Sequence, residues 1–258
     1  MRRCTRKRDA TAQATLAFFE AYFSNFIEGT EFEVSEAADI VFKGVIPRNR
    51  PEDAHDVLGT WRIVSDVSEM TRIPGNTEEF LRLLQSRHAM VMSGRPDKKP
   101  GAFKDEGNRA GSTVFVAPDL VRGTLEQGFE FYRTLDAPFS RAAFMMFMVS
   151  EVHPFSDGNG RLARIMMNAE LVKADQERII IPTVYRNNYL AALKAHSQSA
   201  RAEPFLRVLD FAQKWVAAIP WGELEESRRV LETCNAFVEP AHADDTGIRL
   251  RLPRTADM

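Results

Sequence analysis

The stretch "HPFSDGNGR", residues 153–161, is the segment of this chain that calls most for an explanation. One proline, two glycines and one asparagine interrupt regular structure, while a histidine, an aspartate and an arginine lie within the same short segment. A hydrophobic core needs none of these polar groups, and an ordinary turn needs little more than the glycines. The segment therefore predicts a loop with a chemical function.

The residues on both sides of this loop predict helices. Residues 138–152, "PFSRAAFMMFMVSEV", are apolar on almost every face, which indicates a helix through the middle of the core, with the methionines as packing residues. Residues 161–174, "RLARIMMNAELVKA", predict the next helix. A glycine-rich turn at the N-terminus of a helix lets backbone amides converge on an anion, so the loop is a candidate phosphate site.

The charged residues of the loop fit the same interpretation. Asp157 offers a hard oxygen ligand for Mg²⁺ beside phosphates, and His153, with an ordinary pKa of about 6.5, can accept a proton near neutral pH. Arg161 and Arg164 lie one helical turn apart, so both can reach one anion. A metal site with His153 and Asp157 at helical spacing is disfavoured because Pro154 and the glycines break the helix.

Helical patterns also dominate the rest of the chain. Residues 11–28 place a stripe of apolar side chains on one face before Gly29, and a second helix ends at Gly44. Residues 45–77 are rich in turn-forming residues and predict a long connection with short ordered pieces. Helices are expected at about 77–92 and 119–135, with a mobile loop at 93–111 between them. The stripe of the first helix consists of Leu16, Phe19, Phe23, Phe26 and Ile27.

One strand candidate stands out in this helical background. Residues 112–118, "STVFVAP", are β-branched and aromatic, and they are bounded by Gly111 and Pro118. A lone strand has few partners, so a two-stranded flap is expected.

Composition and charge exclude several other classes of function. The chain has 258 residues and a net charge of −2, which favours neither nucleic acid nor a membrane surface as a partner. No stretch approaches a membrane span, and polar residues interrupt the apolar run after the basic start, so no signal peptide is predicted and a cytoplasmic protein is expected. Cys4 and Cys234 have no metal-binding spacing and predict no disulfide framework.

The loop resembles the signature of Fic-domain proteins, His-Pro-Phe-x-(Asp/Glu)-Gly-Asn-Gly-Arg-x-x-Arg, and every fixed position matches from His153 to Arg164. The likeness extends over about residues 15–200. It implies a mainly α chain: a Fic-type helical bundle with a small β-hairpin flap over the active site. The expected organisation is a basic, disordered tail at 1–14, a Fic domain at 15–215, and a partly helical C-terminal extension at 216–258.

Fic proteins are mostly adenylyltransferases, which move AMP from ATP to a hydroxyl of a target protein. The resemblance implies that His153 deprotonates this hydroxyl, and that Asp157 holds Mg²⁺ between the α- and β-phosphates. It further implies that Gly158, Asn159 and Gly160 form an anion site. It implies too that Arg161 and Arg164 bind the β- and γ-phosphates. Relatives that phosphorylate instead carry lysine where this chain has Gly160, so nucleotidyl transfer is favoured.

The flap and the adenine pocket are open to two interpretations each. The flap is either a structural hairpin or, as the resemblance favours, the edge on which a target segment docks as an added strand. Its candidate docking residues are Ser112, Thr113, Val114, Phe115 and Val116. Tyr189, with Tyr185, is a candidate for stacking on adenine, although both can equally be buried helix tyrosines.

The first helix ends in "SNFIEG", residues 24–29, which resembles the inhibitory pattern (Ser/Thr)-x-x-x-Glu-(Gly/Asn) of one Fic subgroup with an N-terminal inhibitory helix. The resemblance implies that Ser24 and Glu28 are inhibitory, with Glu28 occupying Arg164 in place of the γ-phosphate. The alternative is an ordinary surface glutamate at a helix end. In some relatives the same glutamate helps to remove AMP, and this sequence leaves that activity open.

Two competing accounts stay open at this point. The same fold could use another donor, such as UTP, because phosphate contacts do not select a base; or the chain could sense nucleotide with little transfer. The second is disfavoured because binding alone needs neither His153 nor Asp157. Residues 216–258 contain more acidic than basic residues and no helix-turn-helix pattern, so no nucleic-acid partner is expected, and a homo-oligomer is left open.

Overall fold

In the computed structural model, residues 8–111 and 113–253 are described, and these residues form α-helices with one small antiparallel sheet. The mainly α fold class with a small β-hairpin is confirmed. The helices are α1 (Ala10–Ile27), α2 (Val34–Lys43), α3 (Pro51–Ser65), α4 (Val67–Met70), α5 (Thr77–Val91), α6 (Val121–Arg133), α7 (Pro138–Val152), α8 (Asn159–Lys173), α9 (Arg186–Ser199), α10 (Ala202–Ala218), α11 (Leu224–Thr233) and α12 (Pro240–Thr246). Short 3₁₀ helices cover Pro96–Lys98, Pro118–Leu120 and Thr183–Tyr185.

The chain divides into two compact units. One unit is continuous and contains residues 30–174, and the other combines the residues up to 29 with those from 175 onward. The first of these contains the glycine-rich loop and the flap.

The core of the 30–174 unit is built around α7 and α8, which pack against each other along their length. The predicted helix at 138–152 is confirmed as α7, and its Met145 and Met146 are completely buried as packing residues. The predicted helix at 77–92 is confirmed as α5, which packs against α3, α6 and α8. Residues 153–158, here called the motif loop, connect α7 to α8.

The prediction of a long connection at residues 45–77 was wrong, because α3 occupies Pro51–Ser65. Pro51 stands at the first helical position, where its missing amide hydrogen costs nothing. Gly59 is tolerated inside the helix because α3 approaches α5 so closely that a Cβ there would lie 2.6 Å from the carbonyl oxygen of Met90. The turn-forming residues were read as a loop, but they begin a helix and permit its close packing.

The sheet is a two-stranded hairpin, as expected, but it is shorter than the predicted strand. Strand β1 (Arg109–Ala110) pairs with β2 (Thr113–Val114), with Arg109 opposite Val114 and Ala110 opposite Thr113. Gly111 has φ of +57° in the turn, and Ser112 lies outside the described residues. Residues 109–116 are called the flap below.

In the other unit, α1 is the central helix. The expected stripe is buried, but so are the remaining faces: Phe18, Ala21 and Asn25 are completely buried. The predicted amphipathic helix is therefore a core helix, since aromatic side chains from α10 and from the segments after it surround it. Within this unit Phe23 stacks on Phe237 at 5.3 Å and lies 6.5 Å from Trp215.

The ends of the chain refine the expected boundaries. Helix α1 begins at Ala10, inside the segment expected to be a disordered tail, and Arg8 forms an ion pair of 2.7 Å with Glu177. Residues 1–7 and 254–258 lie outside the described part of the chain. Helix α10 runs across the expected boundary between 215 and 216, and α11 and α12 follow it. Among the described helices, none is both long enough and apolar enough to span a membrane.

Candidate active site

The motif loop begins with His153, which ends α7 in the left-handed backbone region with φ of +51°. Its amide donates to the carbonyl of Val149 at 3.1 Å, so the helix is closed by a non-glycine residue in a conformation that costs about 1 to 2 kcal/mol. Strain of this kind persists only where the surroundings impose it, and it is concentrated at functional sites. The backbone conformation turns the chain sharply at the proposed base.

The ring of His153 has a defined tautomer. Its Nδ1 lies 3.2 Å from the carbonyl oxygen of Ser150, and because a carbonyl only accepts, Nδ1 carries the proton of the neutral ring. Nε2 is then the basic nitrogen. One face of the ring stacks on Phe115 of the flap, with ring centres 3.8 Å apart and planes only 6° from parallel. The orientation of the ring is thus set by a hydrogen bond and an aromatic contact.

Asn159 joins the two ends of the motif loop. Its Oδ1 accepts from the amide of Phe155 at 2.9 Å, and its Nδ2 donates to the carbonyl of Phe155 at 2.8 Å. Asn159 is 1% exposed and Phe155 is completely buried. The side chain of Asn159, a residue that the resemblance assigned to an anion site, therefore makes hydrogen bonds that fix the loop.

Gly158 stands at the N-cap of α8 with φ of +72°. A Cβ at this position would lie 2.6 Å from Sδ of the buried Met92, so both the backbone conformation and the space require glycine. Its amide donates to Oδ1 of Asp157 at 2.6 Å. The first intrahelical hydrogen bond of α8 runs from Leu162 to Gly158, which places Gly160 in the first turn, where amides point out of the helix end.

The two arginines of the motif are both buried, at 3% exposure for Arg161 and 5% for Arg164. Arg161 donates from NH1 to Oδ2 of Asp56 at 2.8 Å, and its NH2 lies 3.9 Å from Oδ1 of Asp157. The same oxygen of Asp56 accepts from Nε of Arg95 at 2.8 Å. The carboxylate of Asp56 thus holds Arg161 beside the motif loop. Asp56 lies in α3, within the segment that was predicted to be a long connection.

The segment before the flap was expected to be mobile, but hydrogen bonds connect it to the motif loop. The amide of Lys104 donates to the carbonyl of Pro154, and Nδ2 of Asn108 donates to the carbonyl of Phe155, both at 2.9 Å. Nζ of Lys104 donates to Oδ1 of Asn108 at 2.6 Å, and burial lowers the pKa of this lysine. The base of the flap is therefore attached to the loop that carries His153.

The flap itself is exposed. Val114 has 79% of its surface accessible, and Thr113, Phe115 and Val116 are partly exposed. Phe115 reaches His153, whereas Val114 has no role in the core. An edge with this exposure is compatible with docking of an extended segment.

Asp157 is the residue of the motif loop that the sequence predicts as a metal ligand. No cluster of three or more metal-ligating side chains occurs among residues 8–111 and 113–253. Asp157 is a single half-exposed carboxylate, with 44% of its side chain accessible. One carboxylate completed by phosphate oxygens is the usual mode for Mg²⁺, so the donor set fits.

Three further candidates lie in the unit formed by residues up to 29 and from 175 onward. Ser24 is 6% exposed on α1, and Glu28 is an exposed C-cap residue whose amide donates to carbonyls of the last turn. Tyr189 is 1% exposed on α9. Their roles remain predictions.

Sequence reasoning missed Asp56 and His88. His88 lies on α5, is completely buried, and forms a hydrogen bond to the backbone of Asp157. Neither residue belongs to a recognisable motif, and each lies far along the chain from the residue that it contacts. For His88 a signal was available, a polar residue among apolar neighbours on α5.

The segment that contains the motif loop matches a known protein family. Residues 79–171 match the model of the Fic/DOC family. Protein adenylyltransferase Fic from Drosophila yakuba is 27% identical over 217 residues, which is 78% of this chain and 42% of that protein. The chain thus spans less than half the length of this curated relative.

The solved structures give the same fold. Fic-1 from C. elegans superposes with a TM-score of 0.65 at 22% identity, covering 84% of this chain and 63% of that one. A structure of IbpAFic2 in complex with adenylylated Cdc42 superposes with a TM-score of 0.53 at 16% identity, covering 83% and 66% of the two chains. At these identities the likeness shows the fold alone.

Proposed function

We propose that this chain, which carries a Fic domain, transfers AMP from ATP to a hydroxyl side chain of a target protein. The observation that carries the proposal is the motif loop, in which a tautomer-defined His153 and a half-exposed Asp157 precede the N-terminus of α8. The names of the curated relatives support the same reaction.

His153 acts as the general base. Its Nε2 takes the proton of the target hydroxyl, whose oxygen attacks the α-phosphorus of ATP. A bond forms between that oxygen and the phosphorus, the bond to the bridging oxygen of the β-phosphate breaks, and pyrophosphate leaves. Mg²⁺ bound at Asp157 would neutralise charge on the phosphates.

The start of α8 binds the phosphates. The first-turn amide of Gly160 and the partial positive charge of the helix end favour an anion, each such interaction contributing about 0.3 to 2 kcal/mol. Arg161 adds positive potential while Asp56 holds its guanidinium in place. Arg164 follows one turn later and binds the γ-phosphate.

The flap presents the target. A segment of the target adds to the edge of β2, and this places its hydroxyl near His153, against which Phe115 already packs. The exposure of Val114 and the complex that IbpAFic2 forms with its adenylylated protein target support a protein as the acceptor.

Glu28 inhibits the enzyme by pairing with Arg164 in place of the γ-phosphate. The support is the pattern of residues 24–29 and the position of Glu28 as an exposed residue at the end of α1. A charge-assisted hydrogen bond contributes about 1.5 to 3 kcal/mol, so the pair can reduce activity about 10- to 150-fold.

Transfer of label from ATP labelled at the α-phosphate tests this function. Purified wild type, Glu28→Gly and the matched control Glu31→Gly are incubated with Mg²⁺, alone and with cell lysate. Protein labelling that rises about 10- to 150-fold in Glu28→Gly only is the expected result. Equal labelling by all three proteins would remove the inhibitory role, and no labelling from ATP by any of them would contradict AMP transfer itself.

A further inference from the structure

His88 is a buried histidine on α5 that contacts the motif loop without belonging to it. Its Nδ1 accepts from the amide of Gly101 at 2.9 Å. Because Nδ1 accepts, the ring proton is on Nε2, which donates to the carbonyl oxygen of Asp157 at 3.0 Å. Two directed hydrogen bonds on opposite sides of the ring therefore fix both its tautomer and its orientation.

The ring stays neutral in this environment. Burial, the largest influence, lowers the pKa of His88 to about 4, and the nearby positive charge of Arg161 acts in the same direction. A second proton would have to be placed on Nδ1, where the amide of Gly101 already points. The two hydrogen bonds by themselves place the ring proton on Nε2.

His88 also packs against the loop through its ring faces. It stacks on Phe155 with ring centres 3.7 Å apart and planes 6° from parallel. A Cβ added to Gly158 would lie 3.6 Å from its Cδ2. The histidine therefore contacts the loop at Phe155 and at Asp157, with little free space beside Gly158.

The hydrogen bond to Asp157 acts on a single rigid peptide group. The carbonyl of Asp157 and the amide of Gly158 belong to one planar unit, so holding the oxygen also orients the N–H. That N–H donates to Oδ1 of the Asp157 carboxylate at 2.6 Å. Contacts thus run continuously from Nε2 of His88, through the peptide plane, to the carboxylate of Asp157.

We propose that His88 is a positioning residue that orients the Asp157–Gly158 peptide and, through it, the carboxylate that would hold Mg²⁺. This inference rests on the proposed function for the role of Asp157. Through this residue, helix α5 contributes to the affinity for the metal. Residues that hydrogen-bond to a metal ligand have this effect in other proteins, and their loss typically lowers affinity or activity about 10- to 100-fold.

The alternative is a histidine that only stabilises the core. The two roles differ in which hydrogen bond matters, since only the Nε2 bond reaches Asp157. His88→Gln keeps a donor in the position of Nε2 and gives up the acceptor for Gly101, whereas His88→Asn keeps the acceptor and gives up the donor. Each variant loses one buried hydrogen bond, so a purely structural role predicts equal effects.

The experiment compares these two variants with His88→Phe, which keeps the ring stacking, and with the control His196→Phe, which replaces a histidine stacked on Phe205 outside the site. All four are made in the full chain carrying Glu28→Gly. Three quantities are measured for each: the melting temperature, the Mg²⁺ concentration that gives half-maximal AMP transfer, and the affinity for ATP with and without Mg²⁺ by calorimetry.

The expected result is an increase of about tenfold or more in the half-saturating Mg²⁺ concentration for His88→Asn and His88→Phe. His88→Gln and His196→Phe should stay within about threefold of the parent. Equal changes in His88→Gln and His88→Asn that follow their melting temperatures would overturn the proposal.

The calorimetry separates this inference from the proposed function. If no variant and no parent transfers AMP, the proposed function fails, and the contribution of Mg²⁺ to ATP affinity still decides the role of His88. A Mg²⁺ contribution that is lost in His88→Asn and retained in His88→Gln supports it. A contribution that is unchanged in both, or absent from the parent, contradicts it.

Discussion

The motif loop and the flap lie against each other, yet they are built in opposite ways. In the loop, buried side chains of Asn159, His88 and Asp56 form hydrogen bonds or ion pairs with the loop and the helix start after it. In the flap, the strands contain two residues each, and Val114 is mostly exposed. Under the proposed function, chemistry at phosphorus needs fixed groups and docking of a target needs an open edge, and the two regions differ in that way.

This contrast predicts that substitutions around the loop are costly to stability and to activity together. Substitutions on the flap should instead change the recognition of a target and leave stability alone. The following four changes test the contrast, beginning with the largest expected effect.

Asp56→Asn should destabilise the protein by about 3 to 5 kcal/mol, because it removes the charge of the buried carboxylate that pairs with Arg161 at 2.8 Å. The measurement is the free energy of unfolding in denaturant. Asp53→Asn is the matched control, since Asp53 pairs with Arg95 at 2.7 Å and has 29% of its side chain exposed. Equal costs for the two variants would show that the ion pair with Arg161 does not support the loop.

Asn159→Ala should cost about 2 to 3 kcal/mol, because it removes two hydrogen bonds to the buried backbone of Phe155. Asn159→Asp keeps the acceptor but buries a negative charge facing the carbonyl oxygen of Phe155, so it should cost at least as much. Chemical denaturation and AMP transfer are measured on both. If Asn159→Ala were as stable and active as wild type, the loop would not depend on this connection.

Gly158→Ala should destabilise by about 1 to 2 kcal/mol from the backbone conformation, with a further cost from contact with Met92. Gly247→Ala measures the free-energy cost of the backbone conformation alone, because Gly247 has φ of +73° with no atom within 4 Å of an added Cβ. Thermal melts and AMP transfer are compared. Activity should fall in Gly158→Ala alone, and a parallel fall in both variants would argue against close packing as the cause.

Val114→Asp should change stability by less than about 0.5 kcal/mol and raise the KM for a protein target about fivefold, a loss of about 1 kcal/mol of binding. Val45→Asp is the matched control, as Val45 is 51% exposed outside the flap. Steady-state kinetics with a target identified by labelling measure the difference. An unchanged KM would separate the flap from target recognition.

The sequence was sufficient for the parts of the fold that local patterns encode. Apolar periodicity located α5, an almost continuous apolar run located α7, and the loop between α7 and α8 was found from its glycines and its polar residues. Prediction from the sequence failed where the same residue types suit two kinds of local structure. Turn-forming residues in 45–77 concealed α3, because Pro51 suits a helix start as well as a turn.

The residues that support the site could not be predicted from the sequence, for a different reason. Asp56 and His88 act through contacts with residues about 70 to 100 positions later, and no local pattern marks such pairings. The motif placed Asn159 in an anion site, and the structure adds that its side chain makes two hydrogen bonds to the backbone of Phe155. A motif identifies the residues of a site and leaves their division between chemistry and support to the structure.

The most direct test of the central claim uses the Glu28→Gly protein with ATP labelled at either the α- or the γ-phosphate, and His153→Ala in the same background as the blank. Adenylyl transfer predicts label on protein from the α-position, none from the γ-position, and none with His153→Ala. Label from the γ-position would contradict the account, because it would mean phosphoryl transfer. Undiminished α-label in His153→Ala would contradict the role of the histidine as the base.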